Sequence, residues 1–234
     1  MSYFTFQGMR LHYSQAGAGP LLLIFPGNTA SGASHADDLD YFSGWFQTVA
    51  LDPPGTGGSD RLAPWPDDWF DLSVRAGAVL LDHLGHEKCL ALGCSGGGAM
   101  ALGLALARPA QVAAVVADSF VHSWPGAMLK AAVAGRQNPP PELVAFWQEA
   151  HGPDWAQVVA ADSDLLGRLA ESGLEPLAGR LGEITCPVLV SASLADEDLL
   201  AQAHLTGQGG HPLMWSRPDL FRPVARAFLA QHAA

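Results

Sequence analysis

Short apolar runs without alternation constrain this chain more than any other feature. They fall at Leu21–Phe25 and at residues 48–51, 89–92, 112–117 and 188–190. A strand with one wet face alternates apolar and polar side chains. A run that does not alternate needs apolar cover on both faces, the situation of strands in a parallel sheet between helical layers. Helical patterns separate several of the runs. Residues 72–84 carry Leu72, Ala76, Val79, Leu80 and Leu84 at helical spacing, and residues 97–107 are rich in Ala and Leu before Arg108-Pro109, a stop signal. Strand alternating with helix implies an α/β fold, a mostly parallel twisted sheet with right-handed crossovers and flanking helices. The N-terminal segment differs. Tyr3-Phe4-Thr5-Phe6 alternates, Gly8 turns, and Leu11-His12-Tyr13 follows, which reads as a hairpin of two short strands.

Residues 120–181 interrupt this rhythm. They hold helix-like stretches at 141–151 and 154–169, a break at Pro139-Pro140-Pro141, and no strand candidate. The expected organisation is therefore a core of residues 1–119 and 182–234 with a small helical cap inserted at 120–181. The aromatics Phe120, Trp124, Phe146, Trp147 and Trp155 are candidates to line a pocket, although packing the insertion onto the core is the commoner role for any one of them.

Composition narrows the partners. The 234 residues are 49% apolar and 15% charged, enough for a sizeable core and too apolar for a disordered chain. Acidic residues outnumber basic ones 23 to 12. No basic stripe exists for a phosphate backbone or an anionic membrane, so nucleic acid and membrane are not expected partners. Residues 1–6 have neither a basic nor a long apolar region, so no signal peptide is expected. The apolar run ending before Arg108 is far short of a bilayer span. Cys89, Cys94 and Cys186 are odd in number without zinc spacing; reduced thiols and a cytoplasmic location are expected.

The strongest chemical signal is Gly93-Cys94-Ser95-Gly96-Gly97, between a buried strand and a small-residue helix. A strand that turns sharply into a helix strains the serine at the apex. Neighbours two residues to either side must then lack side chains, and Gly93 and Gly97 do. The hydroxyl stands clear of the backbone, before a helix N-terminus that favours developing negative charge. A Gly-rich turn without function shares the bare pattern; strand and helix on the correct sides favour a nucleophile elbow.

On these residues the chain resembles the α/β-hydrolase fold family, along nearly its whole length. Phe25-Pro26-Gly27-Asn28 follows the third strand, where the family usually has His-Gly and an oxyanion-hole residue. Asp52-Pro53-Pro54-Gly55-Thr56-Gly57-Gly58-Ser59 resembles the family's D-x-x-G-x-G-x-S loop. Pro187-Val188-Leu189-Val190 with Asp196 resembles the strand and acid turn, and Gly209-Gly210-His211 with Pro218 resembles the catalytic-histidine loop and its following helix. Within the family the motifs are most similar to the valacyclovir hydrolase (biphenyl hydrolase-like) branch. Members of that branch carry an acidic residue directly after the nucleophile to bind a substrate amine. Gly96 stands there in this chain, so amino-acid ester specificity is not carried over.

The resemblance implies roles. Ser95 attacks an acyl carbon, His211 takes its proton and returns it to the leaving group, and Asp196 holds the imidazole. Backbone N–H groups of Asn28 and Gly96 form the oxyanion hole. A serine argues against dehalogenase or epoxide-hydrolase chemistry, which in this fold uses an aspartate nucleophile. No cofactor and no metal are expected. His211 stands out among nine histidines because Gly-Gly precedes it and a helix follows; His35, His122 and His151 are weaker candidates. Asp196 shares its turn with Glu197 and Asp198, so a solvated loop charge is its bland alternative. Asp118, ending the strand before the insertion, is the rival acid. Cys94 should point into the core.

Phe120, His122, Trp124, Trp147 and Met214 are the pocket candidates. With no fixed charge identified among them, the expected substrate is a small neutral carboxylic ester, thioester or lactone, cleaved through an acyl-enzyme. A carbon–carbon bond hydrolase or lyase with the same triad, and a non-catalytic ligand-binding homologue, are the alternatives. The sequence leaves the oligomeric state open.

One spacing departs from the family pattern. Only residues 197–201 separate Asp196 from the last strand candidate, 202–206, where the family places a crossover helix. A parallel crossover usually takes about a dozen residues, whereas five or six extended residues reach about 17–20 Å, one strand length. An antiparallel final strand would carry His211 to the wrong edge of the sheet. A deletion with a bare extended return, an exchanged terminal segment and a non-catalytic chain all fit this spacing.

Overall fold

A computed structural model describes residues 2–120, 123–177, 179–193, 204–206 and 211–233, with the backbone alone at 204–206. The strands are β1 (Ser2–Phe6), β2 (Met9–Ala16), β3 (Leu21–Phe25), β4 (Gln47–Leu51), β5 (Cys89–Cys94), β6 (Val112–Asp118), β7 (Val188–Ser193) and β8 (His204–Thr206). The helices are α1 (Ala36–Phe42), α2 (Trp69–Leu84), α3 (Gly96–Ala107), α4 (Gly126–Gly135), α5 (Pro141–His151), α6 (Trp155–Ser172), α7 (Leu213–Ser216) and α8 (Pro218–Gln231). One sheet holds the strands in the order β1-β2-β4-β3-β5-β6-β7-β8. The pairs β1–β2 and β2–β4 are antiparallel, and every other neighbouring pair is parallel.

The unalternating runs find cover on both faces. Leu21, Leu23 and Phe25 of β3 join one core with Leu51, Ala91 and Val115; Leu22 and Ile24 join the other with Ala50, Leu92 and Val116. Helices α2 and α3 cover the first face, α1 and α8 the second. Successive strand side chains point to opposite faces. Each apolar side chain fully removed from water contributes roughly 1.5–3 kcal/mol, so both faces must be covered before such strands are stable.

Helices α4, α5 and α6 all lie between β6 and β7, and no strand interrupts them among the described residues. The sequence pattern found α5, and placed α6 within a few residues of its ends. It missed α4, whose Ala- and Gly-rich segment has no clear apolar stripe.

Strand β8 is parallel to β7, with Ser191 opposite His204. The chain therefore leaves β8 toward the edge at which β3, β5, β6 and β7 also end. Residues 194–203, which join the two strands and include Asp196, lie outside the described residues.

The D-x-x-G-x-G-x-S segment wraps a carboxylate. Asp52 Oδ1 accepts from the Gly32 N–H at 2.6 Å, and Oδ2 accepts from the Gly58 N–H at 2.6 Å and meets His12 Nδ1 at 2.9 Å. Charge-assisted bonds of this kind are about twice as strong as neutral ones. Asp52 thus fixes the loop and the segment after the β3 turn in one arrangement.

Candidate active site

Ser95 sits between β5 and α3 with φ 52 and ψ −124, a conformation that side-chain-bearing residues rarely adopt. The flanking glycines are there for steric reasons. A Cβ on Gly93 would strike the Gly97 backbone, and one on Gly97 would strike the Phe25 carbonyl. Cys94 is fully buried beneath the turn, and burial together with the Asp118 charge raises its thiol pKa well above the ordinary value. The thiol therefore stays protonated and faces away from the site, as the sequence predicts.

The turn after β3 lies beside this elbow. Gly27 accepts a hydrogen bond from the Ala30 N–H at 3.1 Å, closing a turn in which Thr29 has φ 57. The inserted helices hold this turn from above. Asn28 Nδ2 donates to Asp162 Oδ1 of α6 at 2.8 Å. His151, ending α5, meets the Thr29 carbonyl through Nε2 at 3.0 Å, while its Nδ1 accepts from the Gly57 N–H at 3.0 Å. Ser31 Oγ donates to the Ala150 carbonyl at 2.8 Å. The Gly57 bond requires an unprotonated Nδ1, and burial lowers the His151 pKa, so this histidine acts as a neutral strut. The Asn28 side-chain oxygen in turn occupies the space a Cβ on Gly96 would need. That contact is the structural reason for glycine directly after Ser95.

Asp118 and Ser119 end β6 on the far side of the elbow. Asp118 is fully buried; Oδ1 accepts from Ser191 Oγ at 2.7 Å and Oδ2 from the Met214 N–H at 2.9 Å. Ser119 Oγ accepts from the Leu213 N–H at 3.1 Å. These bonds pin the segment that follows His211. Burial pushes the Asp118 pKa up to about 6 against the opposing pull of the Met214 and Ser191 bonds and the His211 charge.

A cavity of about 250 Å³ opens on these elements. Asn28, Ser95, Gly96, Ser119 and His211 line it from the core, and Trp124, Met128, Leu129, Ala132, Arg136 and Leu166 from the insertion. Several expectations need correction. Phe120 does not line this cavity; it is buried against α3 beside Gly98. Trp147 is buried in a stack with Trp155, 5.5 Å between ring centroids, beside an outer groove. Met214 belongs to the core on the other face of the sheet. In each case apolar burial within the fold outweighed exposure to the pocket. Arg136 adds a fixed charge to the wall that the five sequence candidates do not carry. His122 and Asp196 lie outside the described residues.

Sequence reasoning did not single out Arg136 or Asp162. Asp162 left a signal: it lies in the α6 stripe of Val158, Val159, Leu165, Leu166 and Leu169, a carboxylate at an apolar position. A buried charge of that kind requires a partner. Arg136 follows an Ala-rich helix and left no such mark.

The α/β-hydrolase fold model matches residues 20–169. The chain belongs to the α/β-hydrolase fold family. Among its relatives, epoxide hydrolase 4 of Mus musculus is 32% identical over 117 residues, covering 49% of this chain and 33% of the relative. The chain thus spans about a third of the epoxide hydrolases it matches. A carbamate-hydrolase candidate, RutD of Pseudomonas syringae, is 28% identical over 94% of this chain and 97% of its own length. A thermophilic esterase structure from Thermogutta terrifontis superposes with a TM-score of 0.75 at 17% identity, covering 99% of this chain and 97% of the esterase. The candidate site lies where the parallel strands β3, β5 and β6 end, the region where open α/β sheets bind ligands. Among the described residues, no helix is long and apolar enough to cross a membrane.

Proposed function

We propose that the chain is a serine hydrolase that cleaves a small carboxylic ester, thioester or lactone through an acyl-enzyme. One observation carries this reading: Ser95 stands in a strained elbow at a helix N-terminus, in one cavity with His211 and with Asn28 and Gly96. A serine is not the aspartate that epoxide-hydrolase or dehalogenase chemistry in this fold calls for.

In this reading Ser95 Oγ attacks the acyl carbon and passes its proton to His211. The alkoxide that develops on the substrate meets the Asn28 and Gly96 N–H groups, held by the turn and by the start of α3. His211 then returns the proton to the leaving group, and water, deprotonated by the same imidazole, releases the acid. Asp196 supplies the acid that orients His211, by its place in the motif. Asp118 is the second reading, favoured by its burial and by the downward pull of the His211 charge on its own pKa. Both Asp118 oxygens already bind Ser191 and Met214, which supports a structural role for it.

A fluorophosphonate probe tests the nucleophile. The expected result is labelling of the wild type that vanishes in Ser95→Ala; an unlabelled wild type overturns the reading in favour of a ligand-binding homologue. Turnover of p-nitrophenyl esters by Asp196→Asn and Asp118→Asn separates the acids. A loss of roughly 10⁴-fold in Asp196→Asn alone is expected; the same loss confined to Asp118→Asn reassigns the acid.

A further inference from the structure

We propose that Arg136 recognises a carboxylate on the substrate, so that the bond cleaved lies a few carbons from an anionic group. The inference rests on the hydrolase reading and adds a substrate class to it. Arg136 directly follows α4, whose Met128, Leu129 and Ala132 form the apolar wall of the Ser95 cavity. A guanidinium is costly on such a wall unless each face of it is used.

Its hydrogen bonds show which part is free. Nη1 donates to Asp162 Oδ2 and to Ser163 Oγ, the latter at 3.0 Å, which uses both of its protons. Nε and Nη2 have no protein partner among the described residues, and the side chain is 14% exposed. Nε and Nη2 form one straight edge of the guanidinium, the edge that grips a carboxylate through two parallel bonds. Asp162 is fully buried and holds the opposite side, so the fork is oriented before any ligand arrives. A buried ion pair by itself is a weak source of stability, since well-packed apolar residues often do as well. Recognition of an anion supplies what the pair lacks as a structural device.

Asp162 also sets the distance. Its other oxygen takes the Asn28 side chain. Arg136 and the oxyanion turn are therefore separated by two hydrogen bonds and the width of one carboxylate. A cavity of about 250 Å³ suits a half-ester of a short diacid rather than a long acyl chain. The ligand chemistry is thus a carboxylate a few carbons from an acyl carbon.

The test compares mono-p-nitrophenyl glutarate and adipate with their methyl-capped esters, which match them in length and lack the charge, after subtraction of the spontaneous rate. The wild type is expected to favour at least one half-ester over its capped partner by about tenfold in kcat/KM, the scale of one charge-assisted pair. That ratio should collapse in Arg136→Gln and persist in part in Arg136→Lys. A second readout is independent of turnover: glutarate, and not glutaramide, should raise the melting temperature of the wild type and of Ser95→Ala, with no rise in Arg136→Gln. Stabilisation by glutarate without hydrolysis of any ester refutes the hydrolase reading and keeps the anion site. Hydrolysis with no preference and no glutarate effect refutes the anion site and keeps the hydrolase. Should Arg136→Gln fail to fold, the wild-type comparisons and Arg136→Lys still decide.

Discussion

Ser95 and Ser119 each hold a positive φ without being glycine; they directly follow β5 and β6 and line one cavity, and Thr29, in the turn after β3, holds another. Strain of this kind, of order 1–3 kcal/mol per residue, persists only where surrounding contacts enforce it. Ser95→Gly should therefore be more stable than the wild type, by about 1 kcal/mol in urea unfolding, while losing probe labelling. A variant no more stable would show that the elbow is relaxed. Gly96→Ala should act in the opposite sense. Its Cβ must displace the Asn28 side chain and break the bond to Asp162, so kcat/KM should fall at least about tenfold even if the protein stays folded. Asp118 adds a pH dependence. Its pKa rises from an ordinary 3.8 to about 6, so the folded state holds a proton that the unfolded state has released. Its contribution to stability is present below about pH 4 and is lost as pH rises toward 6. Unfolding free energies measured across that window should show this slope in the wild type and not in Asp118→Asn.

At the scale of elements, the inserted helices do more than cover the core. Residues from α5 and α6 tie down the turn after β3 through His151 and Asp162. The linkage sign for His151 is opposite to that of Asp118. Its lowered pKa leaves the native state short of a proton that the unfolded state takes up. Its contribution is therefore present above pH 6.5 and lost as pH falls below it. His151→Phe should lower the melting temperature at neutral pH and flatten that acid limb. Helices α4 and α6 meet where a Cβ on Gly126 would lie 2.6 Å from the Ala170 carbonyl. Gly126→Val should push them apart at a cost of about 1–3 kcal/mol. Because α4 carries the cavity wall and Arg136, KM should rise more than kcat falls.

The whole molecule carries a formal charge of −11. Self-repulsion of this size is screened by salt, so the melting temperature should rise as sodium chloride goes from low to physiological concentration. No rise would mean that the ion pairs of the surface offset the repulsion. At this scale the sheet was the most legible feature. Runs such as Leu21–Phe25 carry their own instruction, because side chains pointing to opposite faces all need apolar cover. The elbow was legible for a similar local reason: Gly93 and Gly97 are required by backbone contacts only a few residues away. The pocket was not. Trp147 and Met214 are apolar candidates like Trp124 in the sequence, and only tertiary packing put Trp124 on the wall of the Ser95 cavity and the other two elsewhere. Arg136 and Asp162 lie 26 residues apart, and Asp162 and Asn28 lie 134 apart. No local pattern encodes contacts at that separation. The sequence by itself determined the layered sheet, the strained serine and the family, because those rest on periodicity and on neighbours along the chain. The tertiary structure alone decided which side chains share a cavity and which charge lines it, because those depend on elements meeting in space.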